Sequence, residues 1–468
     1  MKYQYSTTPE QARPSLKDIG RWPLHLFALH ARLAPYFARS EPRHHALLYL
    51  QAIISDIPRK NGWQIAEHAK QARPSGMQRL LSRAVWDEEG CRDELRRFLC
   101  QTLSASSAVP AESARPFPVL IIDESGFLKR GEHSAGVARQ YCGTTGRLEN
   151  CQVGVFLSYA TERGHGLIDR ELYLPEEWCA DPARRLAAHI PATVRFQTKP
   201  ELAQVMIERA QAAAVLIAWV VADTVYGHCP QLRAFLEAQG YAYALAVPSI
   251  EVICVQTRAG CLLNSVAHIA QHALGQQDWQ RLSQSLGTKG ERLFDWAILP
   301  WLQAAQVDGR HFLVVRRDLD HPNTLDYYLV FAPEATTLAT MVEAIGARWH
   351  VEEDLQTNKA LGLDQYEVRS YVGWYRHMTL VMLAAAFLVG ICLEENAPRA
   401  AAEHACEPAP TVIALTTREV RHLLAHLIWP APTSAVLICQ WSWWRRSHQY
   451  WAGYYHRRRR QKSISALA

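Results

Sequence analysis

The stretch PVLIIDESGFL, Pro118 to Leu128, decides how this chain is read. Val119 to Ile122 is an unbroken apolar run that ends in Asp123. Such a run suits a central strand buried on both faces, and ligands of open α/β sheets gather beyond the carboxyl ends of strands of this kind. Val215 to Ala222 repeats the pattern and ends in Asp223. Between the two, Gln152 to Tyr159 and Leu167 to Leu174 read as strands joined by a turn at Arg163 and Gly164, and Pro200 to Ala213 reads as a helix. Pro230 to Gln239 continues as a helix and Tyr241 to Val247 as a buried strand. From about 251 to 335 the alternation gives way to short β-like runs, such as Phe312 to Val315 and Tyr327 to Phe331. Thr337 to Leu361 then reads as one long helix and Trp374 to Leu393 as an apolar one. Strands, helix, strand, helix, strand, insertion and helix make a mixed α/β domain with a large insert.

Working outward, residues 1 to about 110 are mainly helical in pattern. Gly62 to Lys70 and Ser75 to Val85 form two short amphipathic segments around a break at Ala72, Arg73 and Pro74, with Ser75 as candidate N-cap. Arg59, Lys60, Arg73, Arg79 and Arg83 decorate this pair, the outline of a helix-turn-helix, although many helical hairpins never touch DNA. Residues 104–118 and 394–410 have linker composition. At 468 residues the chain exceeds one ordinary domain, and 49% hydrophobic with 20% charged residues excludes wholesale disorder. The first residues lack an apolar signal segment, and Met378 to Leu393 falls short of the ~20 residues that span a bilayer. Eleven scattered cysteines without a Cys-x-x-Cys point to reduced thiols. His422 and His426, with Cys406 upstream, lack the second cysteine that a zinc site wants. A soluble, cytoplasmic, nucleoid-associated protein with no membrane partner is expected.

The net charge of +5 is concentrated at the end of the chain. From Trp441 onward there are Arg445, Arg446, Arg457, Arg458, Arg459, Arg460 and Lys462 and no acid at all. A solvated tail would carry the same charge. Trp443, Trp444, Tyr450, Trp451, Tyr454 and Tyr455, interleaved with the arginines, add a surface suited to a phosphate backbone and stacked bases.

Two aspartates delivered to one sheet edge repel unless something cationic joins them, and a divalent metal is the usual remedy. A third acid comes from ARWHVEEDLQTNKALGLD, residues 347–364. With Glu352 set at zero on a helical wheel, Arg348 falls at about −40° and Lys359 at about −20°, while Glu353 is turned about 100° away. Arg348, Glu352 and Lys359 therefore share one stripe.

Arg348-x3-Glu352-x6-Lys359 resembles the Arg-Glu-Lys part of the YREK signature of bacterial insertion-sequence DDE transposases. The blocks 121–160, 166–178, 220–227, 287–297 and 362–380 resemble the insertion sequence 701 group. The resemblance spans about 60 to 460. It implies an RNase H-like catalytic core in two parts (117–250 and 336–395) with a β-rich insertion (251–335). A helical N-terminal DNA-binding domain (1–110) and a helical C-terminal segment with the basic aromatic tail (411–468) complete the chain. It implies cut-and-paste transposition of DNA, with a homodimer holding the inverted-repeat ends and the target duplex in the synaptic complex.

Asp123, Asp223 and Glu352 are then the expected catalytic carboxylates and ligands of two Mg²⁺ ions, with Mn²⁺ able to substitute, and Asp123 bridging the pair. Arg348 and Lys359 would grip phosphates near the scissile bond. Arg79, Arg83 and the tail arginines are the further expected DNA contacts. The signature's tyrosine is absent: Ile345 stands three residues before Arg348. Glu124 points to the opposite strand face from Asp123 and is not taken as a ligand. Relatives with such an insert can pass through a DNA hairpin, which turns a base out of the stack. Of Trp279, Trp296 and Trp301, Trp296 is the expected platform for that base. Motifs for a P-loop or a serine hydrolase are absent from the sequence. A domesticated DNA-binding protein, or a nuclease that cuts without joining, is the alternative.

Overall fold

The computed structural model describes residues 14–104, 116–257, 260–287, 290–302, 309–397, 414–430 and 434–465. Its first strand outlasts the apolar run that announces it. β1 covers Val119–Leu128, because residues beyond Ile122 go on pairing with an antiparallel neighbour after the parallel pairing has stopped. β2 is Ala138–Cys142, β3 Arg147–Ala160 and β4 His165–Tyr173. β3 runs antiparallel to β1 and to β4. Cys151 faces both Leu128 and Ala138, so β2 lies end to end with β4 along the edge of β3 that β1 does not use. β5 (Trp219–Ala222) and β6 (Ala242–Val247) are parallel to β1, each reached through a helical crossover.

β7 (Val252–Thr257) and β8 (Gly260–Ser265) form a separate hairpin. β9 (Gln280–Gly287), β10 (Gly290–Pro300), β11 (His311–Arg317) and β12 (Leu325–Phe331) follow. The sheet order is β2-β3-β1-β5-β6-β12-β11-β10-β9, with β4 also on β3. The β-rich segment is therefore not a body apart. β12 pairs with β6, and four of its strands extend the central sheet. Only the β7–β8 hairpin gathers a small second core, in which Ile253, Val255 and Ile269 meet Leu313 and Leu329. A mixed α/β protein with a large central mixed sheet results, consistent with an RNase H-like core.

The N-terminal helices are α1 (Leu16–Ile19), α2 (Trp22–Arg32), α3 (Ser40–Ile54), α4 (Gly62–His68), α5 (Ser75–Ser82) and α6 (Glu88–Ser104). Asn61 caps α4 by accepting from the backbone of Trp63 and Gln64. Ser75, the expected cap of α5, is instead its first helical residue after Pro74, and makes no capping bond. Lys60 is not a surface cation either. Its Nζ is buried and donates to the carbonyls of Ser55 and Ile57, and burial brings its pKa down to about 7.

The remaining helices are α7 (Glu176–Ala180), α8 (Pro182–Ala187), α9 (Lys199–Ala212), α10 (Thr224–Gly227), α11 (Pro230–Ala238), α12 (Val266–Ala273), α13 (Leu338–Ala347), α14 (Trp349–Ala360), α15 (Tyr371–Glu395), α16 (Thr417–Leu423) and α17 (Ala435–Ser465). α15 is long and apolar enough to cross a bilayer, yet every residue from Gly373 to Leu388 is buried within the fold. It packs on α3, α6 and β4 as the core helix. Much of the two linker-like stretches lies outside the described residues, and so does Cys406.

Helical and sheet regions are locked together by charge. Asp169 on β4 is fully buried. It accepts from Arg209 of α9 at 3.0 and 3.1 Å and from Arg92 of α6 at 3.5 Å, while Arg96 of α6 stands 3.6 Å away. Arg170 beside it reaches Glu89 of α6 at 2.8 Å. Buried charge on this scale survives only when paired and hydrogen-bonded.

Candidate active site

The parallel register of β1 and β5 sets Ile122 opposite Ala222, so the next residues, Asp123 and Asp223, emerge side by side. The Oδ1 of Asp123 accepts from the Glu124 amide at 2.7 Å. Asp223 caps α10, accepting from the Val225 amide at 3.0 Å. Burial, followed by the negative charge of Asp223, pushes the Asp123 carboxyl up to about 7. Burial also raises Asp223, with the charge of Glu124 next in weight. Glu124 itself is ion-paired to Lys199 of α9 and accepts from the Tyr226 hydroxyl at 3.4 Å.

The expected long helix is two helices, α13 and α14, joined at Arg348. The junction preserves the spacing that matters: Arg348 Nη2 donates to Glu352 Oε1 at 2.6 Å while Nη1 stands 3.7 Å from Asp123 Oδ2. One guanidinium thus connects the strand carboxylate to the helix carboxylate. Glu353 faces the other way, towards His165 at 3.2 Å. Lys359 lies further along α14 and donates to Thr144 Oγ1 at 3.3 Å, in the turn between β2 and β3. Ile345, in place of the signature's tyrosine, is a buried core residue of α13.

Asp123, Asp223, Arg348 and Glu352 therefore come together. With Glu124 included, four carboxylates face two cations, Arg348 and Lys199. The donors are all oxygen, and burial, with the charge of Asp223 next, raises the Asp123 carboxyl. Both features fit hard divalent cations.

The other expected DNA contacts fare differently. Arg79 on α5 and Arg83 just beyond its end are exposed and line a groove with Arg39, Glu41 and His45, in and just before the first turns of α3. α17 is anchored at its first half: Trp441 is buried and donates to the Gln71 carbonyl at 3.0 Å, and Trp444 sits edge-on to Trp63. Arg445 is spent on an ion pair with Glu67 of α4 at 2.7 Å, so it is part of this anchor. Arg446, Arg457, Arg458 and Arg459 are exposed, as are Trp443, Tyr450, Trp451, Tyr454 and Tyr455. The side chain of Arg460 lies outside the described residues.

Trp296 does not meet its expectation. Its side chain is fully buried, packed against Phe294 and Tyr328 in the main core, with no ring face open to a base. His165, His350 and Asp354, which the sequence does not single out, cluster with Glu353 on the far side of α14. Their signal was available as His350-x-x-Glu353 at helical spacing, but no local pattern pairs it with His165, some 185 residues earlier in the chain.

A family model described as DDE superfamily endonuclease matches residues 32–259, which include Asp123 and Asp223. A probable transposase for insertion sequence element IS701 from Microchaete diplosiphon is 26% identical over 321 residues, covering 68% of this chain and 75% of that protein. Both matches agree with the motifs and with the mixed sheet that sets the two aspartates side by side, and together they support a DDE transposase of the insertion sequence 701 group, an enzyme acting on DNA phosphodiester bonds.

Proposed function

We propose that Asp123, Asp223 and Glu352 are the catalytic carboxylates of this transposase and hold two Mg²⁺ ions, for which Mn²⁺ substitutes. The observation that supports this most is the convergence of all three acids around Arg348, two by strand register and one by a helix-junction guanidinium. When bound, the cations would activate water or a 3′-hydroxyl and offset charge on the phosphate in line with it. Arg348, already within reach of Asp123 and Glu352, orients both acids and presents a guanidinium to a scissile phosphate. Lys359, at the turn between β2 and β3, holds a neighbouring phosphate.

On this reading residues 1–110 form a DNA-binding helical domain in which Arg79 and Arg83 contact the end duplex. The RNase H-like core comprises 117–250 and 336–395, the insertion 251–335 widens its sheet, and 411–468 add the basic aromatic tail. Arg446, Arg457, Arg458, Arg459 and Arg460 contact the backbone of end or target DNA. Two copies synapse two ends, in the cytoplasm at the nucleoid. The test is cleavage and strand transfer of end-labelled fragments that carry the inverted repeats flanking the gene, in Mg²⁺. Cut ends joined to a target plasmid support the proposal. Cutting without joining would reduce the protein to a nuclease, and binding without cutting to a DNA-binding remnant.

A further inference from the structure

Behind α14, on the side away from Asp123, His165, His350 and Glu353 bring three donor atoms within 4.8 Å of one another. His165 Nε2 lies 3.2 Å and His350 Nδ1 3.5 Å from the same Glu353 oxygen. His165 is the first residue of β4, whereas His350 and Glu353 are one turn apart on α14. The two imidazoles stack at 4.3 Å. Asp354 takes the other nitrogen of His165, Nδ1, at 2.8 Å and also accepts from Ser158, which fixes the ring with Nε2 turned into the cluster. His350 Nδ1 is buried and makes no hydrogen bond.

We propose that these three residues form a second metal site, for a borderline transition cation of the Zn²⁺ class, separate from the all-oxygen cluster on the other face of α14. Two imidazole nitrogens and one carboxylate oxygen are a donor set that zinc prefers and magnesium does not. A carboxylate behind a ligating histidine is the usual outer support of such a site, and Asp354 occupies that place. A cation there satisfies the buried His350 nitrogen. Glu353 is about half and His350 about a third open to solvent, which leaves a path for the ion and room for a water ligand. The site ties α14 to the start of β4 and so braces the helix that carries Glu352, one residue from Glu353.

The experiment uses the full chain, stripped with a chelator, exchanged into buffer with Zn²⁺ alone and then dialysed. Metal content, melting temperature and, after loading with Co²⁺, the visible ligand-field spectrum are measured on the parent, His350→Ala, Glu353→Gln and Asp223→Asn. The expected result is one retained zinc per chain in the parent and in Asp223→Asn, with a melting point raised by zinc. His350→Ala and Glu353→Gln should bind roughly tenfold or more weakly and lose the Co²⁺ bands. Glu353→Gln preserves side-chain volume, so it reports even where His350→Ala fails to fold. Zinc retention and Co²⁺ spectra unchanged in both cluster variants would overturn the site, as would a parent that keeps no zinc. Loss of zinc in Asp223→Asn alone would place the ion on the carboxylates and equally overturn it. Because none of these readouts needs DNA cleavage, failure here is distinct from failure of the catalytic assignment.

Discussion

Asp123 concentrates the electrostatic problem of this protein in one side chain. Its folded carboxyl titrates at about 7, above the ordinary value, so folding favours its protonated form. The associated stability is fully present below about pH 4 and is lost as pH rises towards 7. In metal-free buffer, Asp123→Asn should therefore melt several degrees above the parent at pH 8, with the gap closing as pH falls towards 4. Thermal unfolding at a series of pH values checks this, and Mg²⁺ should raise the parent's melting point but not the variant's. In cleavage assays, Asp123→Asn, Asp223→Asn and Glu352→Gln should each lose roughly a hundredfold or more of activity while end binding, read by gel shift, stays close to the parent's. A variant that cuts at a near-normal rate would leave the site. Both aspartates were legible because each closes an apolar run. Trp296 was misread because its burial comes from Tyr328 and Phe294, one of them on another strand, and nothing local in GTKGERLFDWA distinguishes a buried indole from an open one.

Among the elements, the α13–α14 pair decides where Glu352 sits. Gly346, near the end of α13, lies so close to β9 that a Cβ there would stand 2.2 Å from the Gln284 carbonyl oxygen. A backbone atom cannot swing aside, so Gly346→Ala should force α13 off the sheet. That should lower the melting temperature by several degrees and depress cleavage with it. Gly453→Ala in α17 is the control: only an Arg457 nitrogen at 3.9 Å lies near, and a helical Gly→Ala should be neutral or stabilise by about 0.5–1 kcal/mol. Equal melting shifts for the two would mean that the close approach is relieved at no cost. The wheel drawn from sequence placed Arg348 beside Glu352 correctly, since an i,i+4 pair survives a modest bend. It could not show the junction itself, which no proline marks. β9 and β10 were hidden for another reason: residues 290–293 are exposed and mixed in polarity, without the buried alternation that marks a strand.

At the scale of the whole molecule the charges divide into an inner lock and an outer surface. Removing residues from Arg457 onward should weaken DNA binding and flatten its salt dependence, by about 0.9 in slope for each phosphate that is no longer neutralised. A truncated protein with the parent's slope, measured by anisotropy across a salt series, would leave the tail as mere solvated charge. The inner lock has a different effect. Asp169 gathers arginines from α6 and α9 onto β4, and Asp169→Asn should cost roughly 3–5 kcal/mol, read by urea unfolding, because it strands buried guanidinium groups. The lock ties α6, the last of the N-terminal helices, to the sheet that bears Asp123. With Arg79 and Arg83 reading the end sequence as proposed, the protein would act as a fixed caliper. Sliding the recognised end sequence by one base pair in a synthetic substrate should carry the cut along by one base pair, whatever bases now lie at the new position.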